Sequence, residues 1–470
     1  MRSSRFNRLI GPAALVVGFM ANMASHAQTP SVELSEHRTE NGHHFHYLGT
    51  TSGTDVAIMV HWPSDWVTGS GPIATPYLGS KLMMNSGAGS RDAATLNADF
   101  LELNAKGEID GEPDAMHSML VVHPLYLDAA TELGRDILID NHLDDRWLER
   151  LRHHLREEHN AGHTDLAAQG WDVIRRAILG DGRLNDFLTL TPGSLIDDVT
   201  RDDIQAWHAD TFTADNLVIV ASGPDNLRVD FVGEAIDRML EGLPVGDDKN
   251  DESIDADAIS VKADGKTILL HRPDAERTVI TIGGRLPPAR GVDHIYDAFA
   301  DFVLGSGRRA RLLDAIRTKL RATYAADVVI GSYDRQTRML YLDSEIDQRQ
   351  VKDAYAAFRD TYETLRLEGI TADEFERTRE FITAKYQGLL REPESAATLL
   401  IDLLVNNDPM KEHITDIAAL IETVTLDEIN AAIQTRWPAF SDMIRVVITA
   451  NDNALDSDCV ITSVPDVDNC

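Results

Sequence analysis

The sequence predicts an α+β protein made of two similar units, each of which combines strands with helices. The first observation is a pair of matching helix starts, at residues 199–204 and 424–429, each followed by a helical run and an apolar strand. The second is that residues 147–152 match residues 374–379 at nearly the same offset, 227 positions against 225. The third is an acidic segment, residues 246–258, that separates two halves of similar size. Two matches at nearly one offset indicate an internal duplication.

The individual elements of the two units follow from local signals. Thr200 and Thr425 each precede an acidic residue by three positions, which predicts a capping box at the start of both helices. Strands are predicted in both halves, for example at residues 56–61 and 278–283. The expected organisation is a first unit over residues 28–245, a solvated linker over 246–258, a second unit over 259–450 and an acidic tail over 451–470.

Composition and charge limit the classes of function. The 470 residues are 43% hydrophobic and 26% charged, which is ordinary for a globular protein and excludes collagen-like, disordered and polytopic membrane classes. The chain has 77 acidic and 44 basic residues, a formal net charge of -33. Because affinity for phosphate backbones comes from Lys and Arg, this charge argues against a nucleic-acid partner.

The N-terminus has the pattern of a secretory signal peptide. Arg2, Arg5 and Arg8 precede a short apolar run at residues 9–20, and residues 25–27 (Ser-His-Ala) form a small-x-small cleavage site. An uncleaved anchor is the alternative, but the run is shorter than the roughly 20 residues that a membrane span needs. We expect residues 1–27 to be removed and the mature protein to be periplasmic or secreted, with no later membrane span.

The two cysteines, Cys459 and Cys470, both lie in the acidic tail. In an oxidising compartment they can form a disulfide that closes a small loop. An unpaired, disordered tail is the alternative that the sequence leaves open. A zinc site is not expected at these two residues, because no third or fourth ligand has suitable spacing.

Two stretches carry a family resemblance that covers almost all of the mature chain. In the first half, residues 208–212 (HADTF) are followed by residues 215–220, which lead into the last strand of that half. In the second half, Leu-Gly-Ser-Gly at residues 304–307 precedes a helix that starts near residue 311. These features resemble the insulinase/pitrilysin family of zinc metallopeptidases (inverzincins), and in particular its short bacterial and mitochondrial-processing-type members. The resemblance implies that each unit contains a mainly antiparallel sheet packed with helices.

The zinc motif of that family is absent. In the family, H-x-x-E-H on the first helix supplies two metal ligands and the general base. The matching positions here are Pro76, Gly79 and Ser80, and no H-x-x-E-H occurs anywhere in the chain. Glu157 or Glu158 is the expected remnant of the distal ligand. The resemblance therefore implies no metal on this chain.

Two other stretches of the chain are rich in histidine. Residues 153–159 contain several ligand types, but His154 and His159 are five positions apart and do not share a helix face. His159 and His163 are one turn apart without a Glu between them. A solvated helix end is the favoured interpretation, while a peptidase of unusual design that uses His154 and Glu158 stays open. Three further histidines are expected on an exposed strand: His43, His44 and His46.

A second family signature is present in the second half. Arg317 and Tyr324 have the seven-residue spacing of an Arg/Tyr pair that, in the family, binds substrate and orients its scissile carbonyl. The alternative is an exposed helix Arg and a core Tyr that opens a strand at residues 325–330.

The resemblance implies a function in a complex. In some bacterial members one chain keeps the zinc motif and a homologous chain keeps only the Arg/Tyr pair. We expect this chain to be the second kind, a non-metal subunit whose homologous partner binds zinc, with short or unfolded peptides as substrates. The alternative is a catalytically inactive scaffold or peptide-binding protein of the same fold.

Overall fold

The computed structural model describes residues 32–50, 53–64, 66–67, 69, 71–162, 164–180, 182–189, 194–246, 265–333 and 337–470. The predicted signal peptide and nearly all of the predicted linker lie outside these residues. Within the described chain, no helix combines the length and apolar character that crossing a bilayer requires.

The first half contains eight strands and nine α-helices among its described residues, besides the short 3₁₀ helix Pro124–Tyr126. In order they are β1 (Val32–Arg38), β2 (His44–Thr50), β3 (Val56–Pro63), α1 (Thr75–Asn85), β4 (Gly87–Ala88), β5 (Arg91–Asp92), α2 (Ala93–Glu102), β6 (Lys106–Glu112), β7 (Ala115–Val122), α3 (Leu127–Ile139), α4 (Asp145–Gly162), α5 (Leu166–Leu179), α6 (Arg183–Thr189), α7 (Ser194–Asp197), α8 (Arg201–Thr211), β8 (Val218–Pro224) and α9 (Val229–Leu240).

The second half follows the same plan. Its elements are β9 (Thr267–His271), β10 (Arg277–Leu286), α10 (Asp293–Asp301), π-helical segments Phe302–Ser306 and Leu313–Lys319, β11 (Asp327–Ser332), β12 (Arg338–Asp347), α11 (Val351–Glu368), α12 (Ala372–Leu389), α13 (Pro393–Val405), α14 (Ile417–Thr423), α15 (Leu426–Arg436), β13 (Ile444–Thr449) and β14 (Cys459–Ile461).

The two large sheets have corresponding strand orders. The first runs β6-β7-β3-β8-β2-β1 and the second runs β11-β12-β10-β13-β9-β14. Most neighbours are antiparallel, whereas β2–β8, β13–β9 and β9–β14 are parallel. The sixth strands do not correspond. In the first sheet the sixth strand is β1, the first strand of that half, whereas in the second sheet it is β14, which comes from the C-terminal tail. The predicted fold class and duplication are thus confirmed.

The repeated helix starts form as predicted. The Thr200 hydroxyl accepts the backbone N–H of Asp203, whose carboxylate accepts the backbone N–H of Thr200. Thr425 and Glu428 make the same reciprocal pair at the start of α15. Each box satisfies backbone donors that the first turn of a helix leaves without intrahelical partners.

Each half also covers a face of the other half's sheet. Helix α5 of the first half packs against β10 and β13, and its counterpart α13 of the second half packs against β3 and β8. Gly170 permits the close approach of α5, because a Cβ there would lie 2.9 Å from Oγ1 of Thr281. Along β3, Ile58 faces the helices of its own half while Met59 joins the core shared with α13. The halves therefore share buried apolar surface.

The tail is part of the second sheet. Strand β14 pairs with β9, and Cys459 is joined to Cys470 by a disulfide with 5.8 Å between the two Cα atoms. Ile461 and Val467 are buried against the core that includes α5. The tail thus covers the edge of the sheet that β9 would otherwise expose.

Candidate functional site

Helix α1 carries the three positions where the family's zinc motif would lie. Pro76, Gly79 and Ser80 are all buried. The Ser80 hydroxyl donates to the backbone carbonyl of Tyr77 at 3.1 Å, which is a helix-internal hydrogen bond. None of the three side chains offers the imidazole or carboxylate that binds zinc in proteins.

The space beside Gly79 is filled by an aromatic ring. A Cβ built on Gly79 would lie 2.3 Å from Cζ3 and 2.6 Å from Cε3 of Trp207 on α8. Trp207 is only 1% exposed and packs edge-on against Phe212. A glutamate therefore cannot occupy position 79 without displacing this ring, and the residues present do not fit a zinc ion.

The two glutamates expected as a remnant ligand lie on α4. Glu157 is 3.4 Å from His153 and Glu158 is 3.6 Å from His154, each pair one helical turn apart. Both histidines and Glu157 are mostly exposed. These are the pairings of a solvated helix end, and such exposed pairs contribute little to stability. The side chains of His159 and His163 lie outside the described residues.

The three histidines near the N-terminus lie at and beside β2. His44 is exposed, whereas His43 and His46 are half-buried. Burial lowers the pKa of His46 below its usual range. Among the described residues, no group of three or more His, Cys, Asp or Glu side chains is arranged to hold a metal ion.

Arg317 and Tyr324 lie near the end of a helix and in the loop that follows it. Arg317 is exposed in the π-helical segment Leu313–Lys319, and the Tyr324 ring is 83% exposed. The next strand is β11, which begins at Asp327, two residues later than the sequence suggested. Tyr324 is therefore not a core residue.

The loop that presents Tyr324 is anchored on both sides of it. The Thr323 hydroxyl contacts the backbone carbonyl of Glu345 at 2.7 Å and accepts the N–H of Ala325 at 3.2 Å. Ser344 donates to the carbonyl of Ala325 at 2.7 Å. Neighbours Ala322 and Ala326 are buried. These contacts fix the backbone so that the tyrosine ring points into solvent.

The helix that carries Arg317 is fixed at its other end. Arg311 makes two hydrogen bonds to the Glu374 carboxylate, at 2.9 and 2.6 Å, and a third to the carbonyl of Gly369. Burial alone would raise the pKa of Glu374, but the hydrogen bonds from Arg311 and from Thr371 lower this pKa to about 2.

Gly305, part of the predicted glycine turn, instead lies in a π-helical segment, where a Cβ would meet Val328 at 2.1 Å.

A titratable cluster that the sequence analysis missed lies between the first sheet and α13. His61 and His117 are paired across β3 and β7 with ring centroids 4.8 Å apart, and His117 lies 3.6 Å from the Glu112 carboxylate. Burial opposes protonation of His117, but Glu112 raises its pKa overall. Burial, with the nearby Glu112 charge, raises the pKa of Asp402 on α13 to about 7. The sequence signal was two histidines within otherwise apolar strands.

Part of the chain matches the model of a known protein family. Residues 198–381 match the family model described as the peptidase M16 inactive domain. No curated protein matches the chain by sequence. The resemblance to the insulinase/pitrilysin peptidases that the sequence predicted is thereby confirmed, for a chain without the zinc motif.

Three solved structures show the same fold. A peptidase M16 inactive domain from Pseudomonas fluorescens is 15% identical with a TM-score of 0.73, covering 88% of this chain and 98% of that one. A protease from Helicobacter pylori is 15% identical with a TM-score of 0.74, covering 89% and 99%. The periplasmic protease PqqL from Escherichia coli is 13% identical with a TM-score of 0.67, covering 93% of this chain but 50% of that one.

Proposed function

For a chain that contains a peptidase M16 inactive domain and lacks the zinc motif, we propose the role of non-metal subunit in a heterodimeric zinc peptidase of the periplasm or the secreted space. A homologous partner subunit binds the zinc and supplies the general base. This chain contributes Arg317 and Tyr324 to the binding of short or unfolded peptides. The similarity to half of a periplasmic protease of twice the length supports a second, homologous half in the working enzyme.

The observation that carries the proposal is the exposure of Tyr324. A large aromatic side chain that is 83% exposed contributes little to a core, yet Thr323 before it is buried, and both Thr323 and Ala325 are hydrogen-bonded to β12. The exposed Arg317 is in the helix that leads into this loop. A rigid loop that holds a tyrosine in solvent is suited to contact with another molecule.

The chemistry assigned to the pair follows from its functional groups. The Arg317 guanidinium offers several fixed N–H donors, which suit the carbonyl oxygens of a peptide. The Tyr324 hydroxyl can donate a hydrogen bond to an oxygen that gains negative charge during attack on the scissile carbonyl. The partner's zinc, when bound, polarises that carbonyl and activates water.

The test is steady-state kinetics of the co-purified complex. Tyr324→Phe keeps the ring but removes the hydroxyl, and kcat should fall by about 10²-fold, as when other oxyanion donors are lost. Arg317→Ala should also raise KM. Tyr126→Phe, at a 46% exposed tyrosine of the first half, is the matched control and should be neutral. Melting curves should be unchanged for all three variants.

A scaffold or peptide-binding protein of the same fold is the second candidate. The Trp207 ring against Gly79 is equally consistent with it, since the ring leaves no space for a general base at that position of this chain. Full activity of the Tyr324→Phe and Arg317→Ala complexes would contradict the subunit proposal and leave the scaffold function as the better account.

A further inference from the structure

One segment of this acidic chain is strongly basic. Residues 308–321 contain six basic residues and a single acid, Asp314, whereas the whole chain has a net charge of -33. The basic residues are Arg308, Arg309, Arg311, Arg317, Lys319 and Arg321. We call residues 308–321 the basic segment.

Some of these charges are neutralised locally. Arg311 is bound to Glu374, and the Lys319 ammonium lies 2.9 Å from the Asp314 carboxylate. Arg309, Arg317 and Arg321 are exposed, and none of them forms an ion pair with a residue of the described chain. Within the described chain, three exposed arginines are therefore left without an ion-paired carboxylate.

The placement of these charges sets the size of a ligand. Arg309 precedes the helical stretch at residues 311–319, Arg317 lies within it and Arg321 follows it, and the nine residues of this stretch span at most about 13 Å. An extended peptide of about four residues has that length. Tyr324 follows Arg321 by three positions, in the loop after the helical stretch.

We propose that the basic segment selects peptide substrates that carry acidic side chains, and that these bind along it beside Tyr324. The inference rests on the proposed role of Arg317 and Tyr324 in substrate binding. Charges in solution are screened beyond about 8 Å at physiological salt, so a short ligand on the segment experiences mainly its positive field. A nucleic acid or an anionic membrane extends beyond the segment, where the net charge of -33 on the whole chain disfavours its binding.

The experiment measures peptide binding to the mature chain without its partner. The probe is a fluorescein-labelled decapeptide that contains four glutamates, compared with the same peptide containing glutamines. Fluorescence anisotropy should show tighter binding of the glutamate peptide by about tenfold, and this preference should weaken as salt is added. Exposed ion pairs contribute roughly 1.5- to 5-fold each, so R309Q/R321Q should weaken binding of the glutamate peptide by about fivefold.

The matched control removes two exposed arginines of the first half, R150Q/R228Q, and should leave the affinity unchanged. Equal affinity for the two peptides, equal loss in both double variants, or no binding up to about 1 mM peptide would overturn the proposal. So would tighter binding of a short DNA duplex, or loss of partner assembly in R309Q/R321Q with peptide binding intact. Since this assay needs neither zinc nor turnover, its result is independent of the kinetic test of Arg317 and Tyr324.

Discussion

The contact between Gly79 and Trp207 leads to a sharp prediction about stability. Replacing Gly79 by Ala adds one methyl group at a buried position of helix α1. In an open helix this change is favourable by about 1 kcal/mol, because glycine has the lower helix propensity. At position 79 the methyl carbon would lie 2.3 Å from the Trp207 ring, whereas ordinary contact begins at 3.4 Å.

The magnitude follows from these distances. The ring must move by more than 1 Å, and it is fully buried against Phe212. Overpacking of a core costs roughly 1–3 kcal/mol, and a displacement of this size belongs at the upper end. After the gain in helix propensity is subtracted, Gly79→Ala should lower the free energy of unfolding by about 2 kcal/mol.

The assay is urea denaturation followed by circular dichroism, with Gly388→Ala as the matched control. Gly388 is in helix α12, and a Cβ there meets nothing within 4 Å, so the control should be neutral or stabilising. Trp207→Leu will be destabilising by itself. In its background, however, Gly79→Ala should have a smaller cost than in the wild type, because the clashing ring is absent.

Two results would refute this reasoning. The first is a Gly79→Ala variant as stable as the Gly388→Ala variant. The second is an unchanged cost of Gly79→Ala in the Trp207→Leu background, which would show that the ring is not the obstacle. Either result would mean that position 79 has room for a larger side chain and that packing against Trp207 does not exclude one.

Three further predictions concern metal binding, the tail and pH. The purified chain should bind no stoichiometric zinc and cleave no peptide. The same is expected of the variant P76H/G79E/S80H, because Trp207 still fills the space beside position 79. One zinc per chain by elemental analysis would contradict this prediction. Thiol titration of unreduced, denatured protein should find no free Cys459 or Cys470. Reduction should lower the free energy of unfolding by about 3 kcal/mol at most, since the closed loop is short, and a larger loss would show that the tail holds more of the fold. Burial raises the pKa of Asp343 from its ordinary value of 3.8 to about 7 in the folded protein. The folded state therefore binds a proton more tightly than the unfolded state. This contribution to stability is complete below about pH 4 and is lost as the pH rises through about 7. The side chain in Asp343→Asn can still accept the Thr281 hydroxyl but does not titrate. The change in the free energy of unfolding between about pH 4 and about pH 7 should therefore be smaller by up to about 4 kcal/mol in this variant, as measured by urea titrations. The same pH dependence in variant and wild type would contradict the prediction.

The sequence was sufficient for the features that local interactions define. The capping boxes at Thr200 and Thr425 involve residues three positions apart, so their formation follows directly from the chain. Apolar runs at β3, β8, β10 and β13 predicted the central strands of both sheets, because strands buried on both faces are apolar throughout. The absence of H-x-x-E-H was also readable from the sequence. The family resemblance puts Pro76, Gly79 and Ser80 at the positions of that motif, and residue identity alone decides whether a side chain can bind metal.

Tertiary structure decided what depends on residues far apart in the chain. Trp207 fills the space beside Gly79 although it is 128 positions away in the chain. Helices α5 and α13 each pack against the sheet of the other half. The Arg/Tyr spacing was visible in the sequence, but the exposure of Tyr324 depends on the contacts of its loop with β12. Side-chain periodicity reports which positions of an element are buried, and it does not report which distant element buries them. For that physical reason the sequence by itself determined the duplication and the absence of H-x-x-E-H, whereas only the fold determined that Trp207 packs against Gly79 and that Tyr324 is exposed.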